Sequence, residues 1–247
     1  MTGPPVKQCL AAIDVLVLAG GFGTRIRPVL GDTPKLLAPV AGSAYLDHLL
    51  GWLARFGARR VVLALGHRAE AIVAHLAQRA PENIVVETAV EPQPLGTAGA
   101  IRWASAKLHS DPVLVINGDS FADVDLCRFL DHHRRVGMAG TVLCATVADA
   151  GRYGRVRVDE LGAISGFAEK DIAFRGAALV NAGMYFVSAA LLDAIASGAA
   201  TSLERDVFER LPSGSLAAFT QCGSFIDIGT PESLSFANKF FAARSLI

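Results

Sequence analysis

The chain has 247 residues, of which 52% are hydrophobic and 19% are charged, and its formal net charge at pH 7 is zero. This composition is typical of a globular α/β protein with a large core, and we expect a single domain over residues 1–247. The balanced charge argues against a surface dedicated to nucleic acid or to anionic membrane, because such surfaces carry a basic excess.

Residues 1–12 contain one lysine and two prolines but no apolar core, so they match neither a signal peptide nor a membrane span. We therefore expect a cytoplasmic protein. The four cysteines (Cys9, Cys127, Cys144 and Cys222) lie among apolar neighbours without a Cys-x-x-Cys pair, and we expect reduced, mostly buried thiols.

The first predicted element is a buried parallel strand, Asp14–Ala19, which runs into the glycine-rich stretch Gly20-Gly-Phe-Gly-Thr-Arg25. Glycines at this position let the backbone turn its amides towards an approaching ligand, which makes an anion cradle. Arg25 and the later Lys35 add the positive charge that a polyphosphate requires.

Three other interpretations of this stretch compete with a phosphate cradle. A dinucleotide fingerprint requires a third glycine where the chain has Ile26, and a Walker loop requires a closing Gly-Lys-Ser/Thr that is absent. A tight turn with incidental basic residues stays open.

Strands and helices alternate through the first half of the chain. We predict helices over 45–56, 68–79, 97–109 and 125–137, and strands over 60–65, 84–90 and 113–116. This order is typical of a doubly wound α/β fold, a mostly parallel mixed sheet with helices on both faces. Ligands bind such sheets at the carboxyl ends of the strands, where the strand order reverses.

The second half is less regular. We predict strands over 141–147, 155–158 and 180–187, and a further strand that ends at Lys170. Thr201-Ser-Leu-Glu204 has the spacing of a capping box that opens a helix through Arg210, and Thr230-Pro231 starts a last helix that reaches about residue 243. The adjacent His132 and His133 face different ways on their helix, so we expect a solvated helix end and not a metal pair.

Two carboxylates follow or end apolar strands. Asp119 comes directly after the strand over 113–116, in Asn117-Gly-Asp119, and Asp227 lies inside the apolar stretch 225–229. A hard cation could bridge such carboxylates to phosphate, although Asn-Gly-Asp is also an ordinary turn composition.

The loop Glu91-Pro-Gln-Pro-Leu-Gly-Thr-Ala-Gly99 precedes the helix that we expect Thr97 to cap. Leu18-Ala-Gly-Gly-Phe-Gly-Thr-Arg25 followed by Pro34-Lys35 resembles the signature loop of the sugar-1-phosphate nucleotidyltransferases, and later segments match that family in the same order. Within the family the residues most resemble the bacterial D-glycero-D-manno-heptose-1-phosphate guanylyltransferases. Many relatives read Lys-Pro where this chain has Lys35-Leu36.

The resemblance implies three groups of site residues. The nucleotide would bind Leu18, Ala19, Gly20, Gly21, Gly23, Thr24, Arg25, Lys35, Glu91, Pro94, Gly96, Thr97, Asn117 and Gly118. Glu169, Asn181 and Gly183 would hold the sugar and Lys170 its phosphate, and Asp119 and Asp227 would bind Mg²⁺. Arg25, Lys35, Asp119, Lys170 and Asp227 would carry the chemistry.

Glu91 takes the place where relatives that read thymine or uracil often carry glutamine. A carboxylate accepts hydrogen bonds only, so it suits guanine, with donors at N1 and N2, better than adenine or cytosine. Uracil is still open, as is recognition of the base by backbone groups with Glu91 on the surface.

The implied activity is transfer of GMP from GTP to D-glycero-D-manno-heptose 1-phosphate, in nucleotide-sugar and polysaccharide biosynthesis. A uridylyl- or thymidylyltransferase and a non-catalytic nucleotide-sugar sensor are the alternatives, and a sensor could lose the charged residues that this chain keeps. The implied partners are GTP and a sugar 1-phosphate, without nucleic acid or membrane. The oligomeric state, including a homo-oligomer, is open. The chain ends after the last helix, so we expect the catalytic core alone.

Overall fold

The structure is a computed structural model that describes residues 7–21 and 23–243. Most strands of these residues belong to one large sheet. The strands are β1 Asp14–Ala19, β2 Pro39–Val40, β3 Ser43–Ala44, β4 Arg60–Leu65, β5 Val85–Val90, β6 Val113–Asn117, β7 Ser120–Ala122, β8 Gly140–Val147, β9 Arg155–Val158, β10 Ile164–Ala168, β11 Ala178–Val187, β12 Leu216–Phe219 and β13 Phe225–Asp227.

The α-helices cover the sheet and begin where apolar side chains recur at helical spacing. They are α1 Arg27–Leu30, α2 Tyr45–Arg55, α3 Ala69–Arg79, α4 Gly96–Ala104, α5 Leu126–Val136, α6 Ala189–Ser197 and α7 Pro231–Ala242. None of the described helices has the length and apolar composition that a membrane span requires.

The central sheet is mixed and contains nine of the described strands. Seven of them follow the order β10-β9-β11-β6-β1-β4-β5, and the other two are β8, which pairs with β11, and β12, which pairs with β8. Strands β6, β1, β4 and β5 run parallel, whereas β11 is antiparallel to β6. Because β1 lies between β4 and β6, the strand order reverses beside β1. The predicted doubly wound fold is confirmed.

The core has two layers, one on each face of the sheet. Along β1, Val15 and Val17 point into the layer that holds α2, α5 and α7, and Leu16 points into the layer that holds α4 and α6. This alternation is the period of two of a strand, applied to a strand that is buried on both faces. The helices on both faces fix the ends of β1 and β6, where the site lies.

The cysteine prediction is wrong for two of the four residues, because Cys9 and Cys127 form a disulfide. It joins the segment before β1 to the first turn of α5 across 118 residues. Cys144 and Cys222 are free. Burial raises the pKa of Cys144 to about 12 and that of Cys222 to about 11, so both thiols stay protonated at neutral pH.

The predicted helix over 97–109 is shorter, since α4 ends at Ala104 and is followed by a 3₁₀ turn, Ser105–Lys107. Thr97 lies inside α4 and does not cap it. Its Oγ1 instead accepts a hydrogen bond of 2.7 Å from the amide of Leu203.

The capping box over 201–204 is also wrong. Ser202 is the capping residue, and its Oγ accepts a hydrogen bond from the amide of Arg205 at 3.2 Å. One turn of π-helix, Leu203–Val207, and a 3₁₀ turn, Phe208–Arg210, replace the predicted α-helix. The Oε2 of Glu204 accepts a hydrogen bond of 3.4 Å from the Ser202 hydroxyl, and the Glu204 side chain lines a cavity.

The prediction of a solvated histidine pair is wrong for His133, which is buried. Its Nδ1 lies 2.8 Å from Oγ1 of Thr141, and its ring stacks on Phe186. Burial lowers the pKa of His133, which favours the neutral ring. Among the described residues, neither histidine belongs to a group of metal-ligating side chains.

Candidate active site

Three adjoining cavities lie at the carboxyl ends of β1, β4 and β6, beside the N-terminal half of the antiparallel strand β11. Cavity I, about 320 Å³, is lined by Leu18, Ala19, Gly20, Gly21, Pro34, Lys35, Leu36, His67, Ile72, Glu91, Pro94, Gly96, Thr97, Ala100, Asn117, Gly118 and Asp119. Cavity II, about 310 Å³, is lined by Arg25, Asn117, Asp119, Ser120, Tyr153, Gly154, Phe167, Ala168, Glu169, Lys170, Asn181, Gly183, Ser202, Glu204, Arg205, Glu209, Phe225 and Asp227.

Cavity III, about 430 Å³, is lined by Gly21, Gly23, Thr24, Ile26, Arg27, Leu30, Gly31, Asp32, Thr33, Pro34, Lys35, His67 and Arg68. The structure thus distributes the predicted nucleotide set. Most of it lines cavity I, whereas Gly23 and Thr24 line cavity III and Arg25 lines cavity II. All four predicted sugar residues line cavity II.

The glycine-rich stretch follows β1, and its residues 23–25 turn back towards α1. Gly23 has φ +61°, a conformation that side chains disfavour, and its carbonyl accepts hydrogen bonds from the amides of Ile26 and Arg27 at 3.1 Å each. A Cβ on Gly23 would lie 3.2 Å from the side chain of Lys35, so the absence of a side chain lets the lysine stem pass across the loop.

Glu91 is buried at the floor of cavity I, with 8% of its surface exposed, so it is not a surface loop residue. Its Oε2 accepts a hydrogen bond of 3.1 Å from the amide of Leu95. A Cβ on Gly20 would lie 2.9 Å from Oε1 of Glu91, so a side chain at position 20 would displace this carboxylate. Burial raises the pKa of Glu91, and the Leu95 amide opposes that shift.

Lys35 and Asp119 meet where cavities I and II join. The Nζ of Lys35 lies 2.9 Å from Oδ2 of Asp119, and cavities I and II share Asn117 and Asp119. The Oδ1 of Asn117 is buried without a hydrogen-bond partner among the described residues. An orphan acceptor at this junction is available to a donor from a ligand.

Strand pairing brings the two predicted metal carboxylates together. β13 pairs antiparallel with β7 so that Asp227 faces Ser120, and the amide of Ile228 donates to the carbonyl of Asp119 at 2.8 Å. Burial raises the pKa of Asp227, and the Asp119 carboxylate raises it further, whereas the Gly229 amide, Lys35 and Arg25 oppose the shift. Two carboxylates that repel each other in a partly buried site form a suitable place for a cation.

These residues fit a Mg²⁺ site in which the protein supplies only part of the ligands. Among the described residues no group of three or more His, Cys, Asp or Glu side chains could form an all-protein metal cage. Mg²⁺ instead often uses one or two carboxylates together with water and substrate phosphates. Asp119 and Asp227 would supply the two carboxylates.

Arg25 lies beside the second carboxylate. A Cβ on Gly229 would lie 2.7 Å from Oδ1 of Asp227 and 3.3 Å from a guanidinium nitrogen of Arg25. Arg25 also lowers the pKa of Asp227, although less than Lys35 does. The guanidinium therefore lies in the wall of cavity II, next to Asp227.

A hydrogen-bonded network supports the wall of cavity II. The Asn181 amide donates to the Tyr185 hydroxyl at 2.9 Å, and the hydroxyl donates to Oε1 of Glu204 at 3.1 Å. The Asn181 carbonyl accepts from the amide of Gly183 at 2.9 Å. Asn181 is thus a satisfied amide as well as a lining residue of cavity II.

The sequence analysis missed several lining residues of cavity II, among them Tyr153, Glu204, Arg205 and Glu209. Glu204 lies in the stretch that resembled a capping box, and that local pattern concealed its position. The aromatic Tyr153 is followed by Gly154 in a loop before β9, which is a signal that could have identified it.

Comparison with known proteins assigns the chain to a family. The Nucleotidyl transferase family model matches residues 14–244. A mannose-1-phosphate guanylyltransferase of Mycobacterium tuberculosis is 33% identical over 223 residues, 89% of this chain and 62% of that protein. The mannose-1-phosphate guanylyltransferase catalytic subunit beta of Drosophila melanogaster is 36% identical over 221 residues, 88% of this chain and 59% of that protein. The chain therefore spans about three fifths of the length of these relatives.

Solved structures agree with the sequence relatives. HddC from Yersinia pseudotuberculosis superposes with a TM-score of 0.83 at 31% identity, covering 93% of this chain and 99% of that one. Its complex with GMP-PN superposes with a TM-score of 0.82 over the same shares. Because the family model spans almost the whole described chain, from β1 through α7, this chain belongs to the nucleotidyl transferase family.

Proposed function

We propose that this protein is a sugar-1-phosphate guanylyltransferase, which joins GTP to a sugar 1-phosphate and releases pyrophosphate. The observation that carries the proposal is the junction of cavities I and II at Lys35 and Asp119. Two substrates that bind in separate cavities must bring their phosphates together at one point. The junction provides such a point, because it holds a lysine and a carboxylate and opens to both cavities.

The reaction at that junction is one in-line displacement. An oxygen of the sugar phosphate attacks the α-phosphorus of GTP, the bond from that phosphorus to the bridging oxygen breaks, and pyrophosphate leaves with the electron pair. The attacking oxygen is already an anion, so no general base is required. Catalysis then consists of alignment and charge neutralisation.

Each charged residue has a role in this scheme. Lys35 steadies the α-phosphate as charge develops, the glycine-loop amides hold the β- and γ-phosphates, and Lys170 aligns the sugar phosphate in cavity II. Arg25 would reach the phosphates from the side of cavity II. Bound Mg²⁺ on Asp119 and Asp227 would supply a Lewis acid that offsets the repulsion between the phosphate groups.

Glu91 supports guanine as the base. Its buried carboxylate faces cavity I and can accept from the N1 and N2 donors of guanine. The names of the relatives and the GMP-PN complex of HddC point the same way.

Cavity II supports a neutral, polyhydroxylated sugar. Three glutamates, Glu169, Glu204 and Glu209, line it and can accept hydrogen bonds from sugar hydroxyls. We propose D-glycero-D-manno-heptose 1-phosphate as the acceptor, on the resemblance described above. Mannose 1-phosphate is the second candidate, because mannose-1-phosphate guanylyltransferases are 33–36% identical to this chain.

The test is a panel of GTP, UTP, dTTP and ATP, each paired with the 1-phosphates of heptose, mannose and glucose, with pyrophosphate release as the readout. We expect GTP with the heptose to give the highest kcat/KM. A higher value with mannose 1-phosphate would establish the second candidate, and a preference for UTP or dTTP would establish another nucleotidyltransferase. A protein that binds nucleotide but releases no pyrophosphate with any pair would be a sensor. The cytoplasmic location stays a prediction, and the sequence predicts no particular oligomeric state.

A further inference from the structure

Cavity III is a basic space that lies beyond Lys35 as seen from cavity I. The two cavities share Gly21, Pro34, Lys35 and His67, so they are continuous. If a nucleoside triphosphate binds with its base at Glu91 and its α-phosphate at Lys35, its β- and γ-phosphates extend beyond Lys35. Cavity III opens on that side of Lys35.

Two arginines from separate segments meet at this cavity. Arg27 begins α1, directly after the glycine-rich stretch, and Arg68 precedes α3 at the end of β4. Both contact Asp32: a guanidinium nitrogen of Arg68 lies 2.9 Å from its Oδ2, and one of Arg27 lies 3.2 Å from its Oδ1. Asp32 therefore holds both guanidinium groups at the rim of cavity III.

The backbone of Arg68 is unusual. Its φ is +61° and its ψ is +32°, the left-handed conformation, although it is not glycine or asparagine. The left-handed conformation is disfavoured for a residue with a long side chain, and strained positions of this kind cluster at ligand sites. Here the turn directs a residue that carries a fork of donors into a cavity and not along the helix.

The charge in cavity III favours an anion. Arg27, Lys35 and Arg68 oppose a single lining carboxylate, that of Asp32, among the described lining residues. The Asp32 side chain is 59% exposed, and ion pairs this exposed contribute little. A phosphate group, which arginine can bind through two parallel hydrogen bonds, competes well for both guanidinium groups.

We propose that Arg68 and Arg27 bind the terminal phosphates of the nucleoside triphosphate and hold the pyrophosphate leaving group as it separates. The proposal rests on the proposed function, because it assumes that the triphosphate lies with its base in cavity I. When the bond to the α-phosphorus breaks, negative charge appears on the pyrophosphate. In this proposal two arginines that are not among the predicted site residues neutralise that charge.

The first test measures binding without turnover. Calorimetry compares GTP with GMP on the wild type, on Arg68→Gln, on Arg27→Gln, and on Arg79→Gln as the matched control at the far end of the same helix α3. We expect Arg68→Gln to weaken GTP binding roughly 10- to 100-fold, the scale of a lost hydrogen bond to a charged group, and to leave GMP binding unchanged. Equal losses for GTP and GMP, no loss for either, or a wild type that binds both equally well would overturn the proposal.

The second test uses the reverse reaction, in which the nucleotide-sugar and pyrophosphate give GTP. Arg68→Gln should raise the KM for pyrophosphate by at least tenfold while the KM for the nucleotide-sugar stays within about twofold. A change confined to the nucleotide-sugar would overturn the proposal. A wild type that binds GTP through Arg68 but transfers nothing would refute the proposed function and leave this inference standing, so the two failures are distinguishable. Thermal unfolding of each variant checks that it is folded.

Discussion

The Nζ of Lys35 lies 2.9 Å from Oδ2 of Asp119, although 84 residues separate the two in the chain. Along the chain Lys35 comes after β1 and α1, and Asp119 comes directly after β6. The pair therefore connects the segment that follows β1 to the end of β6, and the strand order reverses between these two strands. The Lys35 side chain is 19% exposed and that of Asp119 is 36% exposed. Without substrate each group offsets the charge of the other, so neither is unpaired at the junction.

Removal of either of the two proposed metal-binding carboxylates should strongly reduce transfer without unfolding the protein. We expect Asp227→Asn and Asp119→Asn each to lower kcat by roughly a hundredfold or more in the presence of Mg²⁺, the scale of a lost transition-state charge interaction. Asp227→Asn should not lower the midpoint of unfolding, since burial and Asp119 make its ionised form unfavourable. Asp131→Asn, on the exposed side of α5, is the control. A folded Asp227→Asn protein with most of its kcat would refute the two-carboxylate site.

Lys35 should act on the chemical step more than on binding. Lys35→Gln is expected to lower kcat by roughly a hundredfold, while the KM for GTP stays within about tenfold, because the developing charge on the α-phosphate loses its cation. Lys239→Gln, near the end of α7, should match the wild type. If Lys35→Gln changed KM alone, the lysine would tether the nucleotide and would not assist the chemistry.

Local sequence patterns predict the strands that carry the site. The features that they do not predict depend on contacts between residues far apart in the chain. The bounds of β1 and β4 match their predictions because an apolar run followed by glycine or by a charged turn defines a buried strand locally. Asp119 is notable in the sequence because a carboxylate directly after such a run has few structural uses, whereas the metal role of Asp119 and Asp227 is implied by the family resemblance. Their proximity depends on the pairing of β7 with β13, which no spacing in the sequence indicates.

The errors have the same origin. Thr97 has the composition of a cap, but its hydroxyl is used by the amide of Leu203, 106 residues away. Cys9 and Cys127 show no paired spacing, because the contact arises only when the segment before β1 packs on α5. Arg27 and Arg68 were not singled out, since their common partner Asp32 is a tertiary contact of Arg68.

The disulfide should stabilise the fold and leave catalysis unchanged. In the chain-entropy account, closing a loop of this length limits the unfolded ensemble, so Cys9→Ser is expected to lower the free energy of unfolding by about 2–4 kcal/mol under oxidising conditions. Under reducing conditions Cys9→Ser and the wild type should unfold at the same midpoint. Cys222→Ser removes a free thiol and is the control. Equal stability of Cys9→Ser and the wild type without reductant would mean that the pair does not form in solution.

Glu91 should make stability depend on pH. Its folded pKa is raised by burial, so the folded state binds the proton more tightly than the unfolded state does. The sign follows: the favourable contribution of the protonated carboxyl is complete below the unfolded pKa and is lost as the pH rises through the folded pKa. Glu91→Gln cannot ionise, so it should be more stable than the wild type at pH 8, and the difference should shrink towards pH 4. Thermal unfolding across that range, without nucleotide, gives the comparison. A difference that grew on acidification would show that the ionised carboxylate is the form the fold prefers.

The same variant tests base recognition. If Glu91 accepts from both N1 and N2 of guanine, the wild type should prefer GTP to ITP, which lacks the N2 amine, by about 1–3 kcal/mol, because one carboxylate oxygen loses its donor in a buried pocket. Glu91→Gln should narrow that gap, since its amide keeps one acceptor and sets a donor against a donor. The measurement is kcat/KM for GTP, ITP and UTP with one sugar phosphate, and Glu82→Gln, an exposed glutamate before β5, serves as the control. Unchanged selectivity in Glu91→Gln would transfer base recognition to the backbone around Pro94 and Gly96, which line the same cavity.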